Sequence, residues 1–165
     1  MKLYHPFAAI LLLLVLLPAC GLQTPEFINH EFTGFSIALP TRTPNERTEQ
    51  GPDGTISSVS AEAEGFKYVV VYWELPMYLR GVPDTQILES MSLGAGAWKV
   101  MEQKNASIDG MPGVEIEGET ANGKHVLTRM LRTKDRVYLL TVGSAKSVQA
   151  RSDTKRFFDS FRIHE

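Results

Sequence analysis

The sequence predicts an α+β fold: a central, mainly antiparallel β-sheet with helices on both faces, an α/β/α sandwich. Three observations predict it. Tyr68-Val-Val-Val-Tyr-Trp73 is apolar at consecutive positions, as a strand covered on both sides must be. From Val114 to Val142, alternating segments meet at Asn122-Gly123 and again at Lys134-Asp135, a meander with apolar residues on both faces. Two further segments, one behind Asp84 and one from Ser147 to Ser160, carry apolar residues at helical spacing and would supply the cover.

The first stretch of the chain stands outside this fold. Phe7 to Leu17 is an apolar run behind Lys2, shorter than the roughly 20 residues that cross a bilayer, and residues 1–19 therefore read as a secretory signal peptide. Its end, Leu17-Pro18-Ala19-Cys20, resembles the bacterial lipobox. That resemblance implies cleavage before Cys20, a diacylglyceryl group on its thiol, and a mature protein tethered by two or three acyl chains. Each buried methylene contributes about 0.8 kcal/mol, so two chains hold where one is marginal. Residues 20–26 are then the lipidated terminus and a short linker, and 27–165 a single domain. Gly21 stands where inner-membrane retention in enteric bacteria uses an aspartate, which favours the outer membrane in a host that has two.

Along the domain, Gly34 divides Ile28–Phe32 from Phe35–Leu39, two short strands, and Pro40 ends the second. Thr41 to Gly54, with Pro44, Pro52 and Asp53-Gly54, reads as a polar surface loop. Ile56–Ala63 and Phe66–Leu75 are strands that meet at Glu64-Gly65. In the loop from Pro76 to Pro83, Met77-Tyr78-Leu79 is apolar; it is a candidate partner or ligand contact, or else a loop folded back over the core. Asp84 caps a helix carrying Ile87, Leu88 and Met91, which Gly94 and Gly96 end. Gly94-Ala-Gly-Ala-Trp98 follows a helix, whereas nucleotide-binding glycines follow a strand and open a helix.

Trp98 to Ile108 is a further strand, and Asp109 to Gly113 a turn. Centring the next turn on Asn122-Gly123 sets Ile116 opposite Arg129 and Glu117 opposite Thr128. A tight turn at Lys134-Asp135 sets Leu131 opposite Tyr138 and Arg129 opposite Leu140. One face then carries Val114, Ile116, Leu127, Leu131, Tyr138, Leu140 and Val142, with Arg129 in their midst. The other carries Val126, Met130, Val137 and Leu139. A guanidinium on an apolar face needs a carboxylate or a ligand anion, because a buried unpaired charge is costly. Arg129 is therefore either half of an internal salt bridge, a snorkelling side chain, or a candidate ligand contact. A helix within Ser147–Ser160 presents Val148, Phe157 and Phe158, with Phe161 just behind it, and Ile163 adds a last extended residue or two.

Composition narrows the function classes. With 43% hydrophobic and 22% charged residues among 165, the chain is globular, not wholly disordered. Cys20 is the single cysteine, so no internal disulfide forms. The formal net charge of -2 speaks against nucleic acid, which needs a basic surface. Charge is unevenly spread: ten Lys or Arg against four acids from Lys124 onward, but six against fifteen from Gly21 to Gly123. Basic and acidic strands lying side by side would cancel it; a basic surface facing anionic headgroups is the other reading. No His-Glu-x-x-His, Gly-x-Ser-x-Gly or P-loop motif is present. His30, His125 and His164 are scattered, and Glu115, Glu117 and Glu119 read as a strand face pairing with nearby bases, not as a calcium loop. No catalytic residue, metal or cofactor is expected.

Gly34-Phe-Ser-Ile-Ala-Leu-Pro40, Gly110-Met-Pro-Gly113, Arg136-Val-Tyr-Leu-Leu-Thr-Val142 and the closing Phe157-Phe-Asp-Ser-Phe161 together resemble the PsbP-like group. That group takes in the extrinsic PsbP subunits of photosystem II, the Mog-type Ran-binding proteins and bacterial lipoproteins of the DcrB type. The resemblance implies the same helix-covered sheet and a non-enzymatic role as an assembly factor, extrinsic subunit or binding partner. The expectation is a lipid-anchored envelope protein, facing the periplasm, that serves another envelope protein or complex. The alternative is a small-molecule or lipid-binding module with a cleft near Arg129.

Overall fold

Among the described residues the chain forms ten strands, most of them where apolar and polar residues alternate. The computed structural model describes residues 25–51, 54–83, 86–87, 98–148 and 151–164. The lipobox residues Leu17, Pro18, Ala19 and Cys20 lie outside them, as does the expected helix behind Asp84 apart from Gln86 and Ile87. In chain order the strands are β1 (Ile28–Phe32), β2 (Phe35–Leu39), β3 (Asn45–Gly51), β4 (Gly54–Ala63), β5 (Phe66–Glu74), β6 (Trp98–Ile108), β7 (Met111–Thr120), β8 (His125–Arg132), β9 (Arg136–Ser144) and β10 (Arg162–Ile163). The helix α1 (Ser152–Asp159) lies between β9 and β10.

Seven strands form one antiparallel sheet in the order β3-β4-β5-β9-β8-β7-β6, and three form another in the order β1-β2-β10. The expected α/β/α sandwich is therefore overturned. Where a helical layer was expected, the small sheet and α1 lie together over one face of the large sheet. All five residues of β2 are buried. Phe35, Ile37 and Leu39 from β2 share one apolar core with Tyr68, Val70, Leu131, Tyr138 and Leu140 of the large sheet and with Phe157, Phe158 and Phe161. Phe35 and Phe161 stack with ring centroids 5.6 Å apart, and each meets Tyr138 edge-on. The Ser160 hydroxyl accepts from the Ala38 N–H at 2.9 Å, tying the end of α1 to β2.

Two more expectations are corrected. The polar stretch read as a loop from Thr41 contains β3, an edge strand with six of seven residues exposed; alternation is silent where neither face is buried. The Asn122-Gly123 hairpin has a three-residue loop, not a two-residue one. Thr120 N–H donates to Lys124 O, Gly123 takes φ 75°, and Glu119 pairs with His125. That moves the β7–β8 register by one residue, so Ile116 faces Thr128, Glu117 faces Leu127 and Glu115 faces Arg129. Val114 and Ile116 accordingly turn to the opposite face and pack with Met130. The β8–β9 register agrees with the expectation: Leu131 faces Tyr138, and Arg129 faces Leu140. At the outer edge, β6 is interrupted by an irregularity between Val100 and Glu102.

Candidate functional site

Arg129 lies in a row of side chains that crosses the sheet. Leu140, Arg129, Glu115 and Lys104 are successive cross-strand partners on β9, β8, β7 and β6. Arg129 Nε donates to Glu115 Oε2 at 2.7 Å, and Lys104 Nζ lies 2.9 Å from Oε1. Helix α1 closes the row from above: Arg129 Nη1 is 3.8 Å from Asp159 Oδ1, and the guanidinium lies 4.6 Å from the centre of the Phe158 ring. Burial pushes the Glu115 carboxyl up, but hydrogen bonds from Arg129 and Lys104 outweigh it and hold the group below the usual carboxylate range. The same bond to Glu115 raises Lys104. The guanidinium thus has a carboxylate of its own chain as partner, and in this row basic and acidic side chains of neighbouring strands pair.

Met77-Tyr78-Leu79 forms a single 3-10 turn after Pro76. Its three residues divide. Leu79 packs against the buried cluster of Leu75, Ile87 and Val137, whereas Met77 is 81% and Tyr78 67% exposed. Beside them opens a cleft of about 1110 Å³ between the Thr33-Gly34 turn, the end of β5, the β8–β9 turn and His164. A second hollow of about 670 Å³, which Met77 lines, shares Thr33, Glu74, Arg80 and Arg136 with the first. Arg129 lines neither.

Backbone carbonyls fix the arginines of this cleft. Arg132 Nη1 and Nη2 donate to Val82 O at 2.5 Å and Arg80 O at 2.6 Å, which holds the Met77 loop against β8. Arg136 Nη1 donates to Thr33 O at 2.7 Å, and Arg80 Nη1 is 3.2 Å from Asp135 Oδ1. Gly34, at φ 91°, allows the approach, since a Cβ there would strike the Arg136 guanidinium. Sequence reasoning singled out Met77 to Leu79 but missed Arg80, Lys134 and Arg136. These come from separate turns, and no local pattern joins them.

The cleft and the start of the domain lie at opposite ends of the sheet. Phe27 meets Tyr68 edge-on at 5.5 Å, near the beginning of β5, and Arg156 reaches the Phe27 carbonyl at 3.4 Å. From there β1 runs toward the cleft, so that Phe35, just past the Thr33-Gly34 turn, meets Tyr72 at 5.0 Å. The nine residues of β5 span about 26 Å between the two ends. Among the described residues no group of three or more His, Cys, Asp or Glu is arranged to hold a metal ion. No described helix is long and apolar enough to cross a membrane.

No protein-family model matches the chain, and no curated protein matches it by sequence. Solved structures do. The solution structure of cyanobacterial PsbP (CyanoP) from Synechocystis sp. PCC 6803 is similar at a TM-score of 0.57 and 12% identity, covering 90% of this chain and 99% of that one. A Pseudomonas aeruginosa protein of unknown function is matched over 72% of this chain and 83% of that one, with 11% identity and a TM-score of 0.42, too loose to carry an argument. The fold that the ten strands and α1 build is therefore PsbP-like.

Proposed function

We propose that this protein is a non-enzymatic, lipid-anchored envelope protein that serves as a binding or assembly-accessory module for another envelope protein or complex. The observation that carries the reading is the pair of exposed apolar side chains, Met77 and Tyr78, beside an open cleft at the end of the sheet away from Phe27. An anchor on Cys20 would join the domain at its Phe27 end, through a linker that reaches at most about 3.5 Å per residue, and the Met77 end lies at the far end of the sheet from that attachment. Likeness to cyanobacterial PsbP supports the PsbP-like fold on which the resemblance to that group rests. The alternative, a ligand cleft near Arg129, is not favoured, because Glu115 already partners that guanidinium. In a host with two membranes, the outer one is the favoured location.

Photo-crosslinking in native membranes from positions 77 to 79, followed by mass spectrometry, tests the reading. A reproducible envelope protein captured at 77 and 78, and lost when the crosslinker moves to exposed β3, is the expected result. Capture of lipid or small molecules alone would overturn it. The anchor is tested separately: Cys20→Ser should abolish the lipid mass and release the protein from the membrane fraction.

A further inference from the structure

The cleft beside Met77 is cationic on a chain whose formal net charge is -2. Its walls carry Arg80, Arg132, Lys134 and Arg136 against Glu74 and Asp135, with His164 at the rim. Apolar surface alternates with this charge. Met111, Tyr138 and Ile163 line the first cleft, and Met77 the adjoining one. We propose that this end of the molecule docks an acidic, extended segment of a protein partner, its carboxylates over Lys134 and Arg136 and its apolar side chains against Met77 and Tyr78. The inference rests on the accessory-module reading for the existence of a partner, and adds the chemistry by which that partner is recognised.

Three features favour this occupant. The two hollows share Thr33, Glu74, Arg80 and Arg136 and so run together, more room than one small anion fills and of the kind an extended chain occupies. Apolar and cationic groups in one cleft suit a segment that itself alternates acid and apolar residues; the charges steer approach and the apolar contacts supply adhesion. Finally, on the accessory-module reading the chain is anchored at Cys20, before Phe27, and the cleft lies at the far end of the sheet from Phe27, which favours a protein over a lipid surface as the occupant. Lys134 is exposed at the tip of the β8–β9 turn, while carbonyls pre-set the Arg136 and Arg132 side chains, which lowers the ordering cost of binding.

The test uses the full chain in phosphatidylcholine nanodiscs. The probe is a fluorescein-labelled peptide of alternating aspartate, glutamate and leucine, and the control is the same peptide with lysine for each acid. Fluorescence anisotropy should show the acidic peptide bound and the basic one not. Lys134→Glu should weaken binding about tenfold, the scale of one charge-assisted contact. Met77→Ala with Tyr78→Ala should weaken it about fivefold while leaving its salt dependence unchanged. Lys134→Ala is the second variant, with thermal unfolding as a check that both remain folded. Equal binding of the two peptides, or no change with Lys134→Glu, overturns the proposal. So does a Cys20→Ser chain whose Lys134 and Met77 are protected by phosphatidylglycerol vesicles but not by the peptide. Lipid mass on Cys20 reads the anchor independently, so loss of the anchor with peptide binding intact leaves the cleft assignment standing.

Discussion

Glu115 is held by two cations of unequal exposure, and the inner one decides its behaviour. Its side chain is 10% exposed and that of Arg129 23%, whereas that of Lys104 is 53% exposed. Arg129→Met would leave a buried carboxylate with one mobile partner, and should cost about 2–3 kcal/mol in urea unfolding. Replacing both partners, Arg129→Met with Glu115→Leu, should recover most of that loss, because an apolar pair leaves no charge uncompensated. The native pKa of Glu115 lies below its unfolded value. Its contribution is therefore complete above the unfolded carboxylate value of about 4.3, and is lost as pH falls through the lower native value. Glu115→Gln should flatten the acid limb of the stability–pH curve, measured by thermal unfolding between pH 7 and 2. Arg129 was legible from the sequence, since a charge amid apolar alternation announces a partner. Glu115 was not, because the expected register set it opposite Met130 instead.

Loop length is a property of the element, and one alanine sets it here. Ala121 makes the β7–β8 loop three residues long, with the left-handed position at Gly123. Deleting Ala121 keeps Thr120 opposite Lys124 and leaves Asn122-Gly123 as a two-residue turn, so the Arg129–Glu115 pair survives and stability should change by less than about 1 kcal/mol. Gly123→Ala, which forces a side chain to φ 75°, should cost about 1 kcal/mol. Denaturant titration of both variants separates loop length from backbone strain. The hairpin's existence was readable from Asn-Gly, but its loop length was not, because two- and three-residue loops both accept that dipeptide. β3 escaped notice for another reason: its side chains are polar on both faces, so no period distinguishes it from a loop. The aromatic segments were recognised as core, yet the small sheet was not foreseen, since pattern alone does not reveal whether Phe35–Leu39 joins the main sheet or lies across it.

At the scale of the molecule, the two ends of the sheet are chemically different. The end near Phe27 holds Tyr68, whose phenol is pushed up to about 12 by burial and then by the nearby Asp153 carboxylate. Tyr68 therefore favours the native state fully below its unfolded value of about 10, and that contribution is lost as pH rises through about 12. The other end exposes Met77 and Tyr78 among basic side chains. If the anchor sets the orientation, a photo-crosslinker at Glu64, in the β4–β5 turn, should reach phospholipid in native membranes, and one at Tyr78 should not. Equal lipid labelling at both would contradict it. The cleft was illegible in the sequence because segments far apart in the chain build it. The two outer strands bear on life in a crowded film. A tether confines molecules to a plane, where they collide edge to edge far more often than in solution, and unpaired strand edges are templates for such collisions. β3 offers a neighbour charged and polar side chains on both faces, and β6 offers lysines and a break in its ladder between Val100 and Glu102. If the proposed tether holds the chain to a surface, these two edges let it pack densely without zipping into fibres.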